Sequence, residues 1–147
     1  MAKFKTRLKV RLILYNSGKI LLLKQTKPNG GNYSLVGGTM ENRESAKETL
    51  IRESFEEAGI ILKENDLQLV HVLQKVTPQE QRIVLYFKAY KYEGKLQAKE
   101  KHKFKAVEWF YLDNLPQNLT ETVKHVLRQY RKGNQYSQFK KKTKETS

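Results

Sequence analysis

Three glutamates, Glu53, Glu56 and Glu57, stand at i, i+3 and i+4, so on a helix their carboxylates crowd one face. Carboxylates packed this closely repel one another and call for a neutralising partner. Magnesium suits them, as a hard cation that combines a few carboxylate ligands with waters and substrate phosphates. Manganese is the alternative. Arg52 lies four residues from both Glu48 and Glu56, close enough to orient the acids. Residues 41–57 carry six acids against three bases, a net of −3 within a chain of formal charge +14. For Glu-x-x-Glu-Glu alone, the competing reading is a solvated acidic helix face.

The flanking residues are those that would position such a helix. Ser45 and Glu48 have the spacing of a capping box, which satisfies amides at a helix start. Gly59 stands where a left-handed residue would end the helix. Ile51 and Phe55 are expected to point away from the acids, towards a core. Ahead of the helix, Gly37 and Gly38 lack a Cβ and let backbone approach a ligand closely.

Taken together, Gly38, Glu44, Arg52, Glu53, Glu56, Glu57, Gly59 and Ile60 resemble the Nudix box, with eight positions in register over residues 38–60. Ser54 stands where an aliphatic residue is usual, Arg43 where glycine often precedes Glu44, and Val36 where proline is frequent. The resemblance implies an α/β fold, the Nudix α/β/α sandwich with a mixed β-sheet. The implied activity is metal-assisted hydrolysis of a phosphoanhydride in a nucleoside diphosphate bearing a further group. It also implies Glu53, Glu56, Glu57 and the Gly37 carbonyl as metal ligands, with Glu44 paired to Arg52.

Further stretches resemble the nucleoside triphosphate diphosphatase branch of that superfamily: residues 69–73, 82–87, 100–103 and 108–116. That branch places a carboxylate facing the metals where Glu100 stands, so Glu53 or Glu100 is the expected general base. Lys101 and Phe104 replace the proline and cysteine usual there. The preferred reaction is a nucleoside triphosphate giving monophosphate and pyrophosphate. The alternatives are pyrophosphate removal from 5′-triphosphorylated RNA, or a module that senses a nucleotide without cleaving it.

The whole chain sets the frame. Its 147 residues suit one domain with a single sizeable core. With no cysteine, disulfides and thiolate metal sites are excluded. No apolar run approaches the ~18–20 residues needed to span a bilayer, and charges interrupt the first residues too often for a signal sequence. A soluble, cytoplasmic protein with no membrane partner is therefore expected; oligomeric state is not legible. Residues 1–27 carry eight bases and no acid, and residues 131–147 six bases against Glu145. Two basic ends around an acidic site suit a polyanionic small-molecule nucleotide, with RNA as a second possibility.

Periodicity supplies the remaining elements. Residues 4–14 alternate apolar and polar, as in a half-buried strand whose basic outer face (Lys5, Arg7, Lys9, Arg11) is either solvated or meets phosphate. Arg11 is the candidate substrate contact on that face. A turn at residues 16–18 joins it to a short buried strand over 20–23. Tyr33, ahead of the glycines, either lines a base pocket or packs in the core. Strands are expected over 67–76, 81–92 and 106–111, with an amphipathic helix over 119–131. His71 is read as structural, having no second histidine at metal-site spacing. The domain is expected to occupy residues 1–131, followed by a mobile basic tail over 132–147.

Overall fold

A computed structural model describes residues 3–141. Eight strands and two helices follow one another as β1 (Lys5–Asn16), β2 (Lys19–Gln25), β3 (Tyr33–Ser34), β4 (Gly37–Thr39), α1 (Ala46–Ala58), β5 (Gln68–Val76), β6 (Glu80–Ala89), β7 (Phe104–Tyr111), α2 (Glu121–Arg131) and β8 (Tyr136–Lys140). The architecture is a mixed sheet between two helices. No helix of the described residues is long and apolar enough to cross a membrane.

β1 is the member on which the sheet divides. It meets β2 antiparallel only next to their turn, at Tyr15↔Ile20 and Asn16↔Lys19. Along most of its length it instead runs parallel to β6, from Lys5↔Glu80 to Leu14↔Ala89, with β4 on its other edge. β2 turns away to pair with β7 and β3. The parting of these wings leaves the near half of β1 facing open space, where Lys9 and Arg11 are only half-buried.

Strand alternation then sorts the core into two layers. Val10, Leu12 and Leu14 of β1 join Phe87 and Ala89 of β6 and Leu50 and Ala58 of α1 in one cluster. Ile13, with Val84, Tyr86 and Leu73, packs under Leu119, Val123, Val126 and Leu127 at the second helix. α1 has the expected ends: Ser45 Oγ accepts from the Glu48 amide, Glu48 reaches back to the Ser45 amide, and Gly59 closes the helix at φ +72°. Its inward face differs from expectation. Leu50, Ser54 and Ala58 form it at i, i+4 and i+8, which rotates Phe55 outward to 48% exposure beneath the Lys99 ammonium. Ile51 does pack against the core.

The end of the chain also differs. Tyr136–Lys140 forms β8, parallel to β5 from Val72↔Tyr136 to Val76↔Lys140. The expected mobile tail is therefore ordered over this stretch; residues 142–147 lie outside the described residues. Besides its ladder to β5 and the packing of Phe139 on the second core layer, the strand is tied in by a buried polar relay. His71 Nδ1 lies 2.8 Å from the Asn134 carbonyl, which can only accept, so that nitrogen carries the proton. In the neutral ring Nε2 then accepts from Ser137 Oγ at 2.8 Å, and Ser137 accepts in turn from His125 Nε2 at 2.9 Å. His71 is thus structural, as expected. Ser137→Ala leaves two ring nitrogens without their partner in the interior, so a loss of about 1–3 kcal/mol is expected. Thermal melting checks this, and an unchanged midpoint would show that the relay does not hold β8.

Candidate active site

The acidic face of α1 meets the glycine strand β4 at one wall of a cleft of about 460 Å³. Glu57 is 5% exposed and accepts a hydrogen bond from the Gly37 amide at 2.9 Å. Glu53 lies against Gly38 so closely that a Cβ there would stand 2.5 Å from its carboxyl carbon. The two glycines thus let strand and carboxylates touch, and Gly37 does so at φ +154° with the Val10 carbonyl and Arg11 pressed behind it.

Arg52 gathers the other acids. Its guanidinium takes both oxygens of Glu44, at 2.8 and 3.0 Å, while Nη1 reaches Glu53 at 3.0 Å and Glu56 at 3.2 Å. A bidentate pair of this kind fixes orientation as well as charge. The Arg52 hydrogen bond is the main reason the Glu44 carboxyl falls to about 2, with Thr49 and the Glu41 amide helping. Glu44 thus anchors the guanidinium that contacts Glu53 and Glu56.

The remaining carboxylates are pushed the opposite way. Burial raises Glu57 to about 8, against the Gly37 amide and the Arg11 charge, with the charges of Glu53 and Glu100 adding to the rise. Glu53 is raised too, by burial first and then by Glu56 and Glu100, with Arg52 opposing. Glu100 sits in the loop before β7, its side chain 4.0 Å from Lys103 Nζ. The fold thus brings Glu100 into the field of the α1 acids across some forty residues of sequence.

Among the described residues no three acids or histidines stand already gathered as a metal site; Arg52 Nη1 is bonded to both Glu53 and Glu56. The donor set nonetheless fits a divalent cation. Glu53 and Glu57 are oxygen donors, both hold protons more tightly than usual, and the missing Cβ of Gly38 leaves the room that the Glu53 carboxylate occupies. Glu56 and Glu100 flank that pair. If Glu100 faces the reacting phosphates, Glu100→Gln should lower kcat at least about tenfold, ~1.4 kcal/mol, with KM and folding little changed. Kinetics equal to wild type at saturating magnesium, between about pH 6 and 9, would return Glu100 to a surface ion pair.

The cleft is also lined by bases: Lys9 and Arg11 of β1, Lys75 of β5, Arg82 of β6 and Lys103. Arg11, the candidate substrate contact, lines this cleft. Arg82 and Lys103 lie in stretches that carried the branch resemblance, without a role assigned to either; Lys75 did not stand out, since nothing local reveals that β5 and β6 extend the sheet beside β1. Tyr33 lies outside the cleft. It packs edge-on to Phe110, bonds Glu108 through its hydroxyl and carries Lys24 over its ring, so it takes the packing alternative.

A family model described as the NUDIX domain matches residues 5–130. The chain is 34% identical over 105 residues to an ADP-ribose pyrophosphatase of Methanocaldococcus jannaschii. That match covers 71% of this chain and 61% of the relative, so it spans less than two thirds of the relative's length. In structure the chain is similar to a MutT NUDIX hydrolase from Burkholderia pseudomallei, with a TM-score of 0.77, 29% identity, and 84% and 97% of the two chains covered. A MutT protein from Bacillus halodurans, 23% identical with a TM-score of 0.75 over 92% and 90% of the chains, shares the fold.

Proposed function

The chain belongs to the NUDIX family, and from that premise we propose that it hydrolyses a phosphoanhydride in a nucleoside diphosphate bearing a further group. The observation that carries this reading is the pairing of Glu53 and Glu57, both pushed up by burial, with the bases that line the same cleft. Such a site is short of cations around its acids and of anions around its bases. A substrate phosphate arriving with a divalent ion satisfies both.

Magnesium, or manganese in its place, supplies neutralisation of phosphate oxygens and a lowered pKa for water at this site. The chain's own residues do the rest. Glu53, Glu56 and Glu57 would hold the ion, with the Gly37 backbone beside them. Arg52, anchored by Glu44, sets the Glu53 and Glu56 carboxylates. Glu53 or Glu100 takes the proton from the attacking water. Arg11 meets the phosphate chain from the β1 side.

The preferred reaction is a nucleoside triphosphate giving monophosphate and pyrophosphate. Similarity to an ADP-ribose pyrophosphatase supports a second reading, in which the further group is a sugar. Release of pyrophosphate, nucleoside monophosphate and sugar phosphate, measured with magnesium across nucleoside triphosphates, nucleotide sugars, dinucleotides and 5′-triphosphorylated RNA, tests both. Pyrophosphate release from triphosphates supports the first reading, and two monophosphates from a nucleotide sugar the second. Magnesium-dependent binding without turnover of any member would replace both with a nucleotide sensor.

A further inference from the structure

The segment that leads into α2 and the helix itself form a second concavity, of about 530 Å³, which shares no lining residue with the cleft at α1. Its floor is Leu115, Pro116, Leu119 and Leu127. Leu119 and Leu127 are 6% and 2% exposed, so this apolar surface is sunken. Above it stand Lys124, Arg128, Arg131 and Lys132, and no acid lines the trough.

Helical period puts the bases in one stripe. Lys124, Arg128 and Arg131 stand at i, i+4 and i+7 with Leu127 among them, so charge and apolar surface run together along α2. No ion pair to Lys124, Arg128 or Lys132 exists among the described residues. Arg131 is steadied by the Leu112 carbonyl, 3.0 Å from Nη1. The helix dipole favours Arg128 and Arg131 in the last turn, but it disfavours a cation near the helix start, where Lys124 stands. Folding of α2 alone therefore does not account for the stripe.

The shape and charge of the trough select its occupant. From Lys124 to Lys132 the bases follow the helix for about 12 Å at 1.5 Å per residue, too far for the single carboxylate of a small amphiphile. No aromatic side chain lines the trough to stack a base. Its leucines lie below the bases, so none projects into a bilayer. A second copy of the chain, at formal charge +14, brings the wrong sign. A helix that carries acids at the same rise, with aliphatic side chains projecting between them, matches both the floor and the rim.

We propose that this trough docks an acidic amphipathic helix of a partner protein. Its aliphatic side chains enter between Leu115, Leu119 and Leu127, and its carboxylates meet Lys124, Arg128 and Lys132. The surface is separate from the cleft, and its test does not depend on which nucleotide is cleaved.

The probe is a fluorescent alanine-based peptide of about 18 residues, long enough to be helical. It carries leucines at i, i+3 and i+7, with glutamates on both flanks of that stripe. Anisotropy with the full chain should give a Kd below about 100 μM. Replacing the peptide's leucines with alanine, or its glutamates with glutamine, should weaken binding by about tenfold or more. Lys124→Glu and Arg128→Glu should do the same without moving the melting midpoint, since neither side chain belongs to the core. Lys91→Glu, which reverses the same charge on an exposed residue outside the trough, should change Kd by less than about twofold. A weaker Kd for the probe, equal binding of the leucine-free peptide, or binding that survives both rim reversals overturns the proposal. Rim-dependent binding that is tighter for single-stranded RNA of equal charge, or for phosphatidylserine vesicles, also overturns it and makes the face a nucleic-acid or membrane surface.

Discussion

Glu57→Gln is expected to cut turnover by about 10²–10³-fold, the several kcal/mol that a correctly held divalent ion contributes at a phosphoryl centre. The variant should also need far more magnesium for half-maximal rate. The fold should not suffer. A glutamine oxygen still accepts from the Gly37 amide, as Glu57 does at 2.9 Å, and the substitution removes a charge that burial opposes. Without divalent ions the sign can be worked out. Glu57 titrates near 8 in the folded protein against an ordinary value of 4.5, so the native state binds the proton more tightly than the unfolded one. Its contribution to stability is full below about pH 4.5 and is lost as pH rises through about 8. In EDTA the wild-type melting midpoint should fall across that window; magnesium, or Glu57→Gln, should flatten the slope. Wild-type turnover with unchanged metal demand in the variant would remove Glu57 from the ligand set.

Gly38→Ala should be nearly as damaging, although it adds a single methyl group and touches no charge. Its Cβ would stand 2.5 Å from Glu53 Cδ and within 2.8 Å of both carboxylate oxygens. No side chain sits that close, so the Glu53 carboxyl must swing away, taking with it the 3.0 Å contact to Arg52. A misplacement of about 1 Å at a reacting centre costs on the order of 10²-fold in rate. The loss should appear in kcat and metal demand, while melting changes by less than about 1 kcal/mol if only the side chain yields. A rate within twofold of wild type would mean that Glu53 works from another position.

Local features were legible because they are written locally. Both halves of the α1 capping box, the left-handed Gly59 and the crowding of acids on one helical face depend on residues a few positions apart, and the α2 core face over Val123, Val126 and Leu127 follows from its period. Phe55 shows the limit: one residue of rotation decided between core and surface, and it was set by Leu50, Ser54 and Ala58 facing the sheet. β8 shows another, since its place rests in part on Ser137 meeting two histidines 66 and 12 residues away.

The sequence by itself determined the family, the acidic helix and the pairing of Arg52 with Glu44, because eight residues in fixed register specify one turn, one helix and one set of carboxylates. Tertiary structure alone decided what lines the cleft beside those carboxylates. The parallel pairing of β1 with β6 lines up Arg7 with Arg82, and β5 sets Lys75 beside them. Register between strands seventy residues apart follows from which faces can be buried together, and no local pattern records it. The same long-range packing brings Glu100 into the field of Glu53 and Glu57 and carries Tyr33 away from the cleft to Glu108.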